Sequence, residues 1–258
     1  MTDTRGTTIT VTTPDGTAEA YLTQPVPDPD NPGGPLPGVL LIMDAIGLRP
    51  RIETMADRIA SWGYVVLAPN VFYRDGDAAA TSPSVEFLDD ESRAEFFAGA
   101  MPRIRRLTPD LATPDLRAYV DALHARPEVS PGPIGATGYC MGGRLALLAG
   151  ATLPDDVAAI GMFHTGGLVT DTSASPHLWV TDVRGEVLAV HADHDRSLPP
   201  VAIARFEHAL SSAGVTHHTT VYPGARHGYT MSDTAEYNHD AAEHHFAELR
   251  KLFARTLH

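Results

Sequence analysis

A single cysteine, Cys140, stands among 258 residues. One thiol cannot close an intramolecular disulfide, so the cysteine count ties nothing to an oxidising compartment. Long apolar runs are missing too, and the longest falls far short of the ~20 residues of a membrane-spanning helix. The opening Met1-Thr2-Asp3-Thr4-Arg5 leads into polar residues and lacks the apolar core of a signal peptide. Basic charge is scarce: 19 Lys and Arg stand against 32 Asp and Glu, a formal net charge of −13. Nucleic acid and anionic membrane both demand basic patches, so neither is expected as a partner. The acidic excess reads as a solvated surface. These deficits predict a cytoplasmic protein; the sequence leaves open whether it is a monomer or a small homo-oligomer.

The residues present suit a globular chain, with 43% hydrophobic and 20% charged. The length suits one α/β domain with a large core. Residues 7–12 and 18–24 read as two strands around the turn Pro14-Asp15-Gly16, and residues 25–37 as a loop rich in Pro, Gly and Asp. Residues 1–37 are thus an expected N-terminal hairpin and loop. The pattern then changes. Val39-Leu40-Leu41-Ile42-Met43 and residues 64–68 are continuous apolar runs, as in buried parallel strands. Between them, residues 50–62 put Ile52, Met55, Ile59 and Trp62 on one helical face, closed by Gly63.

Residues 75–112 form a less regular, lid-like segment with a helix expected near 91–105. Thr113-Pro114-Asp115 offers a capping Thr, a Pro at the first helical position and an acid in the first turn, so a helix is expected from there to 125. Strands at 134–139, 157–163, 186–192 and 216–222 then alternate with helices at 141–152, 200–213 and 234–257. The last helix buries Ala242, Phe246, Leu249 and Phe253. Such alternation predicts an α/β fold, a mostly parallel sheet with helices on both faces. No repeat or long linker divides the chain, so residues 1–258 are expected as one domain.

The chemistry concentrates at Gly138-Tyr139-Cys140-Met141-Gly142-Gly143, between a strand and a helix. A nucleophile elbow has the form G-x-S-x-G in that context. The turn is sharp, and Gly138, Gly142 and Gly143 clear the space that side chains would occupy. A lone cysteine is more often a small buried hydrophobe, but at the apex of this turn it reads as the nucleophile. A thiol needs a base or another means of lowering its pKa. In this architecture the order is nucleophile, acid, histidine. The strand 187–192 runs into Asp193-His194-Asp195-Arg196, and the strand 216–222 into Pro223-Gly224-Ala225-Arg226-His227-Gly228.

His227 stands out from the other histidines, most of which read as surface residues, because it follows a strand through a Pro-Gly turn. Asp193 and Asp195 compete as the acid. A position in the loop beyond the strand favours Asp195, while Asp193 suits bonding to loop amides. His191, His194, Asp193 and Asp195 match no metal-binding spacing, so neither a metal nor another cofactor is expected.

These motifs resemble the dienelactone hydrolase family of α/β-hydrolases. Met43-Asp44-Ala45-Ile46-Gly47 and Ala68-Pro69-Asn70-Val71-Phe72-Tyr73-Arg74 match as well, in the same order along the chain. The resemblance implies a single-domain α/β-hydrolase fold and a Cys-His-Asp triad at Cys140, His227 and Asp195. It implies an oxyanion hole from the backbone amides of Met141 and Ala45. It also implies a small-molecule ester or lactone substrate, cleaved through an acyl-thioester.

Two positions depart from the family pattern. Asp44 replaces a Glu that holds the resting thiol in founding members. It is one methylene shorter, and either contacts the thiol or substrate or only orders the oxyanion loop. Met231 replaces the arginine that grips the substrate carboxylate in lactone-specific members. Arg49, Arg74, Arg103, Arg105 and Arg106 are candidate substitutes, with a solvated surface role as the default. Tyr73 is a further candidate contact. Phe72, Phe87, Phe96 and Phe97 either wall a substrate pocket or belong to the core. The competing functions are a thioesterase, acyltransferase or peptidase on the same triad, and a non-catalytic thiol sensor.

Overall fold

The computed structural model describes residues 2–28 and 33–257. Residues 29–32 of the expected loop lie outside the described residues. Strands β1 (Thr4–Thr13) and β2 (Gly16–Pro25) form the expected antiparallel hairpin, each longer than the apolar pattern alone indicates. Strands β3 (Gly38–Ile42) and β4 (Val65–Pro69) are buried at every position, which is why their sequences do not alternate. Helix α1 (Pro50–Ala60) joins them. It has Pro50 in its first turn and buries Ile52, Met55, Ala56, Ile59 and Ala60 along one stripe.

The chain continues through α2 (Ala78–Thr81), α3 (Asp90–Arg106) and α4 (Pro109–His124). Then follow β5 (Ile134–Tyr139), α5 (Met141–Thr152), β6 (Val157–Phe163), β7 (Glu186–Ala192), α6 (Pro200–Ser212), β8 (His217–Tyr222) and α7 (His239–Thr256). The eight strands make one sheet in the order β1-β2-β4-β3-β5-β6-β7-β8. It is antiparallel at β1, β2 and β4 and parallel from β4 to β8.

Both faces of the sheet are covered, as the alternation of strands and helices predicts. In β6 the Gly161 position faces Leu249 of α7, whereas Ile160 next to it packs on Gly150 of α5. Successive strand residues point to opposite faces, so α5 and α7 lie on opposite sides. Helix α1 lies beside α7 through the Arg58–Glu243 ion pair, and Trp62, just after α1, sets its ring 6.0 Å from that of Phe246.

Two helix starts differ from expectation. Helix α4 begins a turn early, at the first of two Thr-Pro-Asp triplets: Thr108 is its cap residue and Pro109 opens it, leaving Pro114 inside. Asp115 is then not a solvated first-turn acid. It is buried, accepting hydrogen bonds from Arg74 at 2.6 Å and from the Tyr73 hydroxyl at 2.9 Å. Helix α7 starts after Asn238, whose side chain accepts from the Ala241 amide, and not at Thr234. Thr234 is buried and pairs with Leu88 in an isolated bridge, with Leu88 N donating to Asp233 O and Ala235 N to Leu88 O. That bridge fastens the lid-like segment to the loop after β8. A turn of 3-10 helix at Pro176–Asp182, which the sequence pattern does not predict, fills the crossover from β6 to β7. Among the described residues no helix is long and apolar enough to cross a membrane.

Candidate active site

The C-terminal ends of the parallel strands converge on Cys140. It sits between β5 and α5 with φ 54° and ψ −117°, a left-handed backbone that side chains rarely adopt. Close packing holds it there. A Cβ at Gly138 would overlap the Gly142 carbonyl, and one at Gly142 would overlap the carbonyls of Ile42 and Met43. The Cys140 amide donates to Phe163 O at 3.0 Å, fixing the apex to β6. Met141 is the first residue of α5, where a helix leaves its amides without intrahelical acceptors.

The loop after β8 carries His227, and the loop after β7 carries Asp195. Nδ1 of His227 lies 2.6 Å from Asp195 Oδ2, and its Nε2 lies 3.1 Å from Cys140 Sγ. The other Asp195 oxygen accepts from the Ser197 amide and hydroxyl at 2.8 and 2.6 Å. Asp193 does something else: it accepts from the amides of His194 and Gly224, each at 3.0 Å, and so ties the two loops together. The candidates for a metal set are therefore dispersed. Asp195 faces His227, His194 is exposed, and His191 is buried with its ring edge-on to Phe206. Among the described residues no group of three or more His, Cys, Asp or Glu is placed to hold a metal ion.

The electrostatics follow from this chain of contacts. Burial pushes the Cys140 thiol up, but the charge of His227 and its hydrogen bond outweigh burial, so the net shift is downward. Burial pulls His227 down, yet Cys140 and Asp195 raise it to about 10. Asp195 is lifted by burial and brought down further by His227 and Ser197, to about 2. All three shifts favour a thiolate–imidazolium pair backed by a carboxylate.

Asp44 is buried beside Ala45, and its carboxylate accepts from the Ile46 amide at 3.1 Å and from Arg49 at 2.6 Å. These contacts order the loop, and Asp44 also lines the cleft at Cys140. Arg49 is no solvated surface residue: it is only 6% exposed and also grips Asp233 at 2.5 Å. Two carboxylates offset the cost of burying its charge. Of the other arginines, Arg74 pairs with Asp15 and Asp115, Arg106 with Asp75, and Arg103 donates to Thr81 O. Tyr73, expected near substrate, spends its hydroxyl on Asp115 and its ring under Arg74. Met231 is fully buried and lines the cleft.

The cleft at Cys140 is about 10 Å³, room for about one water, and Phe97 and Arg93 of α3 line it. The lid-like segment thus does reach the site. Phe72 belongs to the core and Phe87 is 53% exposed.

Residue-by-residue reading missed Ser197, Asp233 and His164. His164 is 1% exposed, has φ 39°, and places its ring 5.3 Å from that of His227. Its Nε2 lies 2.8 Å from Thr230 Oγ1, and burial keeps it neutral. His191 and His245 are likewise buried and held neutral by burial, so the surface default fails for three histidines. A histidine directly after the apolar strand 157–163 was the available signal for His164.

Comparison with known proteins gives the family and the fold. The family model described as "Dienelactone hydrolase family" matches residues 19–257. A protein of Synechocystis sp. named "Putative carboxymethylenebutenolidase" is 27% identical over 99% of this chain and 98% of its own. A carboxymethylenebutenolidase of Rhodococcus opacus is 28% identical over 78% of this chain and 73% of its own. A Klebsiella pneumoniae structure titled "Putative Dienelactone Hydrolase" has the same fold, with TM-score 0.81 at 23% identity over 98% of this chain and 99% of that one. The chain belongs to the dienelactone hydrolase family.

Proposed function

We propose that the protein, a carboxylic ester hydrolase by its family, cleaves small esters or lactones through Cys140, His227 and Asp195. The observation that carries this reading is the continuous chain from Asp195 Oδ2 to His227 at 2.6 Å and from His227 to Cys140 Sγ at 3.1 Å. The Cys140 thiolate attacks the carbonyl carbon, and the oxyanion formed is received by the amides of Met141 and Ala45. Preorganised donors of this kind are typically worth ~2.7–4 kcal/mol each. Collapse of the tetrahedral adduct breaks the C–O bond, and the departing alkoxide takes the proton from His227 Nε2. His227, now neutral, takes a proton from water as that water attacks the thioester. The second collapse releases the carboxylic acid and restores the thiolate beside a protonated His227. Asp195 orients the imidazole and stabilises its charged form.

A panel of aryl esters, lactones and thioesters run on wild type and Cys140→Ala tests the reading. Turnover in wild type and none in folded Cys140→Ala is expected. Equal turnover in both excludes the cysteine mechanism. Thioester turnover far above ester turnover moves the reading to a thioesterase.

A further inference from the structure

A second cavity, of about 390 Å³, is bordered by Met141 and shares no lining residue with the cleft at Cys140. Met101 and Ile104 of α3, Leu145 and Leu148 of α5, and Trp179 give it an apolar wall. The catalytic cleft has room for about one water, so the body of any substrate must lie elsewhere. Met141 borders this larger space and carries one of the two proposed oxyanion amides.

Two cations line the cavity: Arg105 of α3, which is exposed, and Arg144, one helical turn from Cys140. Arg144 is half-buried, and its guanidinium passes close to Gly167, where a Cβ would stand 3.1 Å from Nη1. Among the described residues no carboxylate lies within ion-pair distance of it. In this it differs from Arg49 and Arg74, each of which is held between two carboxylates. Its charge is felt at the thiol, where it favours the ionised form. A half-buried cation with no acidic partner, set into an apolar wall, is complementary to an anionic group carried on an apolar body.

Resting on the hydrolase reading above, we infer that this cavity holds the part of the substrate remote from the scissile bond. Arg144 is then the specificity-determining residue, receiving a carboxylate there. Recognition then runs through α5 and not through Met231, whose own side chain offers only an apolar contact.

The test uses two nitrophenyl esters of equal length, one an acyl chain ending in a carboxylate and one ending in a methyl group. The readout is the ratio of their kcat/KM values at low salt. Wild type is expected to prefer the anionic ester. Arg144→Met should lower the ratio about 10-fold, mainly through KM, and Arg144→Lys should keep part of it. Arg144→Glu should move preference to an ester ending in trimethylammonium. Ala174→Trp, at an exposed position on the cavity rim, should raise KM for both nitrophenyl esters and decides the cavity assignment should the Arg144 variants not fold. An unchanged ratio in folded Arg144→Met and Arg144→Glu overturns the assignment of Arg144 while leaving the hydrolase reading intact. An unchanged KM in Ala174→Trp overturns the cavity assignment. No turnover of either ester by wild type overturns both readings.

Discussion

Nε2 of His227 lies 3.1 Å from Sγ of Cys140, and each group holds the other in its charged form. Burial alone would push the thiol the other way. The ion pair therefore depends on the imidazolium being present. Iodoacetamide reacts with thiolate, and Cys140 is the only cysteine, so alkylation reads this site without interference. The rate in wild type should rise with pH through a midpoint below the ~8.5 of a free thiol. In His227→Gln the burial remains and the compensating charge is gone, so the midpoint should move above ~8.5. Equal midpoints in the two proteins would refute the ion pair.

Asp195 and His227 also link stability to pH. The folded Asp195 titrates at about 2, below its ordinary 3.8. Its contribution is therefore complete above the unfolded value and lost as pH falls through about 2. His227 is raised to about 10, so its contribution is complete below the ordinary 6.5 and lost as pH rises through about 10. Urea unfolding of wild type and Asp195→Asn across pH should give curves that converge on the acid side between those Asp195 values. At neutral pH the variant should lose about 10²–10⁴ in kcat, because the imidazole loses its anchor. A gap that persists unchanged at the acid end would place the stabilisation elsewhere.

Arg49 joins the loop carrying Ala45 to the loop following His227, through Asp44 and Asp233. Removing one member of a buried ion network leaves charges without compensation, which typically costs about 3–5 kcal/mol. Arg49→Met should destabilise by that order and also lower kcat, since the Ala45 amide loses its support. Adding Asp44→Asn should recover part of the stability, because one stranded charge is gone. Chemical denaturation measures the first effect and ester kinetics the second. If stability falls with kcat unchanged, Arg49 serves the fold and not the oxyanion loop.

The sheet and the Cys140, His227 and Asp195 positions were legible because each is written locally. Buried runs mark β3 and β4, and the glycines around Cys140 mark a turn that only close-packed backbone can make. Arg49 was not legible. An arginine reads as solvated unless two acids reach it, and one of those, Asp233, lies 184 residues away. The start of α4 was ambiguous for a different reason. Thr108-Pro109-Asp110 and Thr113-Pro114-Asp115 carry the same start signal, and the choice is made by Arg74 and Tyr73, which draw Asp115 into the interior. Local rules cannot choose between identical triplets when the deciding contact is tertiary.

Glycines at the elbow and in the lid-like segment should respond oppositely to the same change. A Cβ at Gly142 has no free space, since the carbonyls of Ile42 and Met43 stand against it and backbone cannot give way cheaply. Gly142→Ala should therefore be insoluble or lack cooperative unfolding. Gly99 lies inside α3, and nothing comes within 4 Å of the point where its Cβ would stand. There alanine fills open solvent and removes the helix penalty of glycine, so Gly99→Ala should gain about 0.5–1 kcal/mol. Thermal unfolding of the two variants decides. A destabilised Gly99→Ala would mean that α3 must bend or move at this position, and because Phe97 and Arg93 of α3 line the cleft, the same variant should then also show altered KM.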